Sequence, residues 1–241
     1  MARFVESKGF RNRLKGGVFL SLVTIPTYLL AEGLLFRVVL TIGLTLALAE
    51  LCVVSLVSFY IPDQRETSTM VAIFLALVLS IIATWYFQLA VIGGVVVVVV
   101  TTDVFAYFGG KLIGGKLAKT RPFPVVSPNK TWEGTNVGLV FGLIAAVLWV
   151  RLVMPEEAGT LLFCFLWMPP AAVAGDILES YFKRHAEIKD SNDFLVDQPI
   201  IGRIEGLLGG KGGHGGYLDR LDSCSFVLSL LYFINLLGLL G

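Results

Sequence analysis

Apolar residues run through the chain in long blocks separated by short polar stretches. Seven blocks stand out, at about 17–31, 34–61, 70–87, 89–108, 135–154, 160–182 and 222–240. A helix needs roughly 20 apolar residues to cross the hydrocarbon core of a bilayer, so each block predicts a membrane-spanning helix. The second block is 28 residues long and must tilt, break or protrude. The expected fold is an all-α polytopic integral membrane protein of about seven spans, eight or nine if that block or another breaks, read as one catalytic domain over residues 1–241.

Composition sharpens this picture. The chain is 56% hydrophobic and 15% charged with mean hydropathy +0.80, against about 25% charged in a soluble globular domain. That excludes a soluble enzyme and a disordered chain. A net charge of +1 provides no field for nucleic acid, so no nucleic-acid partner is expected. Cys52, Cys164 and Cys224 all lie inside apolar runs without metal-ligand spacing and read as small hydrophobes. The first block follows a basic leader (Arg3, Lys8, Arg11, Arg13, Lys15) and, lacking a convincing small-residue cleavage site, reads as a retained span.

Charge then orients the spans, because cytoplasmic loops collect Lys and Arg. With the N-terminus in the cytoplasm, the leader, Arg65, the segment 109–134 (Lys111, Lys116, Lys119, Arg121, Lys130) and the segment 183–221 (Lys183, Arg184, Lys189, Arg203, Lys211, Arg220) all fall inside. Arg37 and Arg151, the other two, sit near outer helix ends where they can snorkel. Both long polar segments thus face the cytoplasm, and chemistry is expected there; if the source is bacterial, the membrane is the plasma or inner membrane.

The first polar segment follows Asp103, an acid at the membrane edge. A carboxylate at bilayer depth costs on the order of 2.5 to 3.5 kcal/mol and calls for a partner, a water-filled cavity or a metal. The run Ser127-Pro128-Asn129-Lys130-Thr131-Trp132-Glu133-Gly134 opens the next span. Ser127, Asn129 or Thr131 can cap that helix with Lys130 as an interfacial anchor, or the helix N-terminus and Lys130 can hold a phosphate chain.

The second polar segment begins on the sixth span, where helical spacing puts Asp176, Ser180 and Lys183 on one face with Glu179 beside them. This is either a self-neutralising ion pair or a metal-phosphate site, since hard cations take carboxylate and hydroxyl oxygens. Farther on, six glycines surround Lys211 and His214, followed by Asp219, Arg220 and Asp222. Acids, cations and glycine turns at an inner membrane edge suggest magnesium-assisted phosphoryl or nucleotidyl transfer to a lipid.

These residues resemble the phosphatidate cytidylyltransferases. Ser180, Phe182, Lys183, Arg184, Lys189 and Asp190 match the first half of that family's signature, and His214, Gly215, Gly216, Tyr217, Asp219, Arg220, Leu221 and Asp222 match the second. Ser127 to Gly134 is similar to a further family segment, and Asp103 fills its preceding acidic position. The resemblance implies transfer of a cytidylyl group from CTP to phosphatidic acid, giving CDP-diacylglycerol and pyrophosphate, with magnesium and a second, monovalent cation such as potassium. It implies Asp176, Asp219 and Ser180 at the metal, Asp103, Ser127, Asn129, Lys130 and Thr131 at the substrates, and Lys183, Arg184, Lys189, Asp190, His214, Arg220 and Asp222 in the catalytic machinery. It also implies a homodimer.

The sequence departs from the family at one place. Asp190 and His214 are 24 positions apart where the family has about eight, so about 16 residues, 196–211, form an insert. Its apolar residues Ile200, Ile201, Ile204, Leu207 and Leu208 recur at helical spacing opposite Arg203 and Glu205, a pattern that suits a short helix on the membrane surface. The rival readings are a related nucleotide-dependent transferase or kinase acting on another lipid, a transporter, and a non-catalytic scaffold. No internal repeat supports transport.

Overall fold

The computed structural model describes residues 33–58, 64–118, 120–185 and 218–238. Among them there is no strand, and the elements are α1 (Leu34–Ser58), α2 (Gln64–Tyr86), α3 (Leu89–Ile113), α4 (Trp132–Val153), a 3-10 turn at Pro155–Glu157, α5 (Ala158–Leu166), α6 (Met168–His185) and α7 (Leu218–Leu236). By length and composition Leu89–Ile113, Trp132–Val153 and Leu161–Phe182 can each cross a membrane, while Leu34–Ala49, Met70–Tyr86 and Leu221–Leu236 are shorter apolar helices. Six of the seven apolar blocks therefore coincide with helix. The block at 17–31 and the insert 196–211 lie outside the described residues.

Two blocks differ in detail from the sequence pattern. The long second block is one continuous helix through Ser58. Block 160–182 is two helices, interrupted by a turn at Trp167. Pro169 and Pro170 follow that turn, inside the first turn of α6, where their missing N–H groups would have no intrahelical acceptor in any case.

Contacts divide the chain into residues 1–42 and 43–241. In the first, Gly33 takes a positive φ of 77° and its carbonyl accepts the Arg37 N–H at 3.0 Å, opening α1. In the second, the most extensive packing is between α3 and α4, followed by α7 against α2 and α6. At two glycines of α4 the α3–α4 seam has no room for a side chain. A Cβ at Gly134 would lie 2.7 Å from the Ala106 carbonyl oxygen, and one at Gly138 would lie 2.6 Å from that of Thr102. Close backbone approach of this kind drives helix association where water supplies no hydrophobic force.

Buried hydroxyls along these helices bond back to their own backbone. Ser80 Oγ donates to Leu77 O at 2.7 Å, Thr84 Oγ1 to Ser80 O at 2.8 Å, and Thr102 Oγ1 to Val98 O at 2.8 Å. This satisfies polar groups without interrupting an apolar surface. The α2–α3 turn is braced by Tyr86, Phe87 and Tyr232 of α7 in edge-to-face contact, and by Trp149 Nε1 donating to Ala90 O at 2.9 Å.

Candidate active site

At the other end of these helices three acids meet. Asp176 and Glu179 stand one turn apart on α6, and Asp222 comes from the first turns of α7. Carboxylate oxygens of all three lie within 4.8 Å of one another. Gly175 makes the approach possible, because a Cβ there would sit 2.8 Å from the Phe226 Cβ and 3.1 Å from the Ser223 Cα of α7. Glu179 is 3% exposed, and Asp176 and Asp222 are half-buried.

Cationic compensation comes from the loop before α4. Lys130 Nζ forms an ion pair with Asp176 Oδ2. The lysine is delivered by a tight turn in which its N–H donates to Ser127 O at 3.1 Å, while Thr131 caps α4 by accepting the Gly134 N–H at 3.0 Å. Arg184 Nε donates to Val126 O at 3.4 Å, tying the end of α6 to the same loop. Ser180 Oγ donates to Asp176 Oδ1 at 3.5 Å, a long bond. Asp103, exposed on α3, stands within electrostatic reach of both Asp176 and Lys130.

Beneath the acids is a recess of about 260 Å³, counting the open space at its mouth, whose walls include Ile73, Leu178, Glu179, Asp222, Ser225 and Phe226. Three carboxylates thus converge in a partly buried place. An all-oxygen donor set of this kind fits a hard divalent cation such as magnesium.

Of the residues singled out in the sequence, Asp103, Lys130, Asp176, Ser180 and Asp222 are brought together. Thr131 is 7% exposed and its hydroxyl serves the helix cap. Ser127 is half-buried and Asn129 exposed, both on the turn that carries Lys130. Lys183, Asp219 and Arg220 lie on α6 and α7 with side chains outside the description, and Lys189, Asp190 and His214 lie outside the described residues altogether.

Two acids take larger parts than the sequence assigned them. Glu179 completes the carboxylate trio, and the signal for it was its i+3 spacing from Asp176. Glu133 is 5% exposed, and its Oε1 accepts the N–H groups of Leu117 and Ala118, each at 2.8 Å, fastening the loop after α3 to the start of α4. Nothing in periodicity pointed to that second role.

Known proteins resemble this chain as follows. The profile of the cytidylyltransferase family matches residues 1–198. A phosphatidate cytidylyltransferase of Helicobacter pylori (strain J99) is 45% identical over 148 residues, covering 58% of this chain and 46% of the relative. One of Bacillus subtilis (strain 168) is 37% identical over 139 residues, covering 57% and 44%. The chloroplastic phosphatidate cytidylyltransferase 4 of Arabidopsis thaliana is 38% identical over 136 residues, covering 56% and 29%. The chain thus spans about half the length or less of these curated relatives. No solved structure matches.

Proposed function

The chain belongs to the cytidylyltransferase family, and from that premise we propose that it transfers a cytidylyl group from CTP to phosphatidic acid, releasing pyrophosphate and leaving CDP-diacylglycerol in the membrane. The observation that carries this reading is the trio Asp176, Glu179 and Asp222 with Lys130 paired to Asp176. Such a site suits substrates that are themselves anionic phosphates.

In the reaction, an oxygen of the lipid phosphate attacks the α-phosphorus of CTP, and the bond from that phosphorus to the bridging oxygen of the β-phosphate breaks. A phosphate monoester is already anionic at neutral pH, so little general-base help is needed and the barrier is chiefly charge repulsion. Asp176, Glu179 and Asp222, with Asp219 on the same helix face as Asp222, would hold magnesium, which when bound neutralises phosphate charge. A monovalent cation beside it belongs to the same proposal. Lys130 is held ready by Asp176, and an arriving phosphate competes with the carboxylate for the ammonium. Arg184, fixed near Val126, adds positive charge on the approach. Gly175 keeps α6 and α7 close enough for the acids to act as one site.

The site opens to the cytoplasm in this reading, where CTP is found, and the protein acts as a homodimer. The test is incorporation of label from the α-phosphate of CTP into phosphatidic acid by purified protein with magnesium, beside Asp176→Asn. Label in a CDP-lipid, lost in the variant, is the expected result. No label from CTP, dCTP, ATP or GTP with folded protein would overturn the reading.

A further inference from the structure

The segment between α3 and α4 carries a pattern that the transfer chemistry leaves unused. Leu117 and Val125 are 85% and 84% exposed, the most exposed large apolar side chains among the described residues. Neither is on slack backbone. The Leu117 N–H is held at 2.8 Å by the buried Glu133 carboxylate. Val125 sits on a turn closed by the Ser127 N–H donating to Phe123 O at 2.9 Å, and the next carbonyl, of Val126, accepts from Arg184. The fold thus fixes the main chain inward and holds two apolar side chains out.

The exposed charges described on this segment are of one sign. Lys111, Lys116 and Arg121 are exposed. Between Asp103 and Glu133 the sequence has no acidic residue and five basic ones. This segment also joins the ends of two helices long and apolar enough to cross a membrane, which puts it at the bilayer edge. Apolar tips among cations at that depth match the headgroup boundary, where acyl chains receive Leu and Val while anionic headgroups receive Lys and Arg.

We propose that the loop at 114–127 is an interfacial anchor: it inserts Leu117 and Val125 into the surface of the protein's own bilayer and gathers anionic phospholipid headgroups with Lys111, Lys116 and Arg121. The anchor directly precedes, along the chain, the turn that carries Lys130. It concerns how the protein holds its membrane and stands apart from the transfer reaction.

The full chain, reconstituted in phosphatidylcholine vesicles with or without phosphatidylglycerol and carrying brominated acyl chains, tests this. Leu117→Trp and, separately, Val125→Trp are compared with the parent protein, whose own tryptophans set the background. Added quenching in both variants, greater in anionic vesicles and reduced to the neutral-vesicle level by Lys116→Glu with Arg121→Glu, is the expected result. Absence of added quenching in both, in either bilayer, would mean that the loop faces water or another protein and would overturn the anchor. Equal quenching in neutral and anionic vesicles would overturn the assignment to anionic lipid. Two reporter positions keep the test decisive if one variant fails to fold.

Discussion

Lys130 and Asp176 form an ion pair that joins the loop before α4 to the middle of α6. The pair lets the acidic cluster be both assembled and partly neutralised in the same contact. Replacing Lys130 by Met takes away the cation paired with Asp176 and, in the proposed reaction, a donor for phosphate. A charge-stabilising donor of this kind is worth on the order of 10² to 10³ in turnover, so Lys130→Met is expected to lower CDP-lipid formation by about that much. Lys130→Arg retains the charge and is expected to recover part of it. A steady-state assay with labelled CTP decides, and near-parent turnover in Lys130→Met would remove Lys130 from the site.

Glu179 is the most enclosed of the three acids. Its neutralisation removes one of the negative charges that would face the proposed cation, without opening a cavity, because Gln has almost the same volume. The expected outcome for Glu179→Gln is a rise of roughly 10-fold or more in the magnesium concentration needed for half-maximal activity, in line with what loss of a supporting group does at metal sites. Direct binding of manganese, followed by its paramagnetic resonance, separates this from a change in turnover. Unaltered manganese affinity would show that Glu179 only completes the local packing.

The apolar helices were legible because bilayer thickness imposes a length on any apolar block, and helical periodicity likewise placed Asp176 and Ser180 on one face. Periodicity does not say which helix that face meets. Only the approach of α7 at Gly175 selects Glu179 as a partner of Asp222. The turn at Trp167 lies inside one apolar block, and its mark in the sequence is the Pro169-Pro170 pair rather than any change of hydropathy period. In the sequence Glu133 stands only as part of a motif, because the donors to its Oε1, the N–H groups of Leu117 and Ala118, are backbone groups that nearly every residue possesses.

Those two N–H groups make the Glu133 clamp testable. In Glu133→Ala they lose their acceptor and the loop after α3 is released, whereas Gln keeps an oxygen at the same reach. Trypsin cleavage after Lys116 is expected to be faster in Glu133→Ala than in the parent, with Glu133→Gln between them. Mass spectrometry of the early fragments identifies the bond cut. Identical cleavage rates in all three proteins would mean that the carboxylate does not hold the loop.

The α3–α4 seam gives the stability prediction. In Gly138→Ala the new methyl meets the Thr102 carbonyl oxygen at 2.6 Å and the Ala106 Cβ at 2.7 Å. The first is backbone in the middle of a helix and cannot swing aside, so α4 must move off α3 over its closest stretch. Overpacking of this sort typically costs about 1 to 3 kcal/mol. Gly159, on α5, provides the contrast: a Cβ there meets nothing within 4 Å, and Ala in a helix is favoured over Gly by up to about 1 kcal/mol. Thermal unfolding in detergent is therefore expected to shift downward for Gly138→Ala and to stay level or rise for Gly159→Ala. Because both substitutions add the same methyl group to a helix, a common effect of Gly-to-Ala exchange would move them together. Only a backbone contact at Gly138 moves them apart, and equal midpoints would refute it.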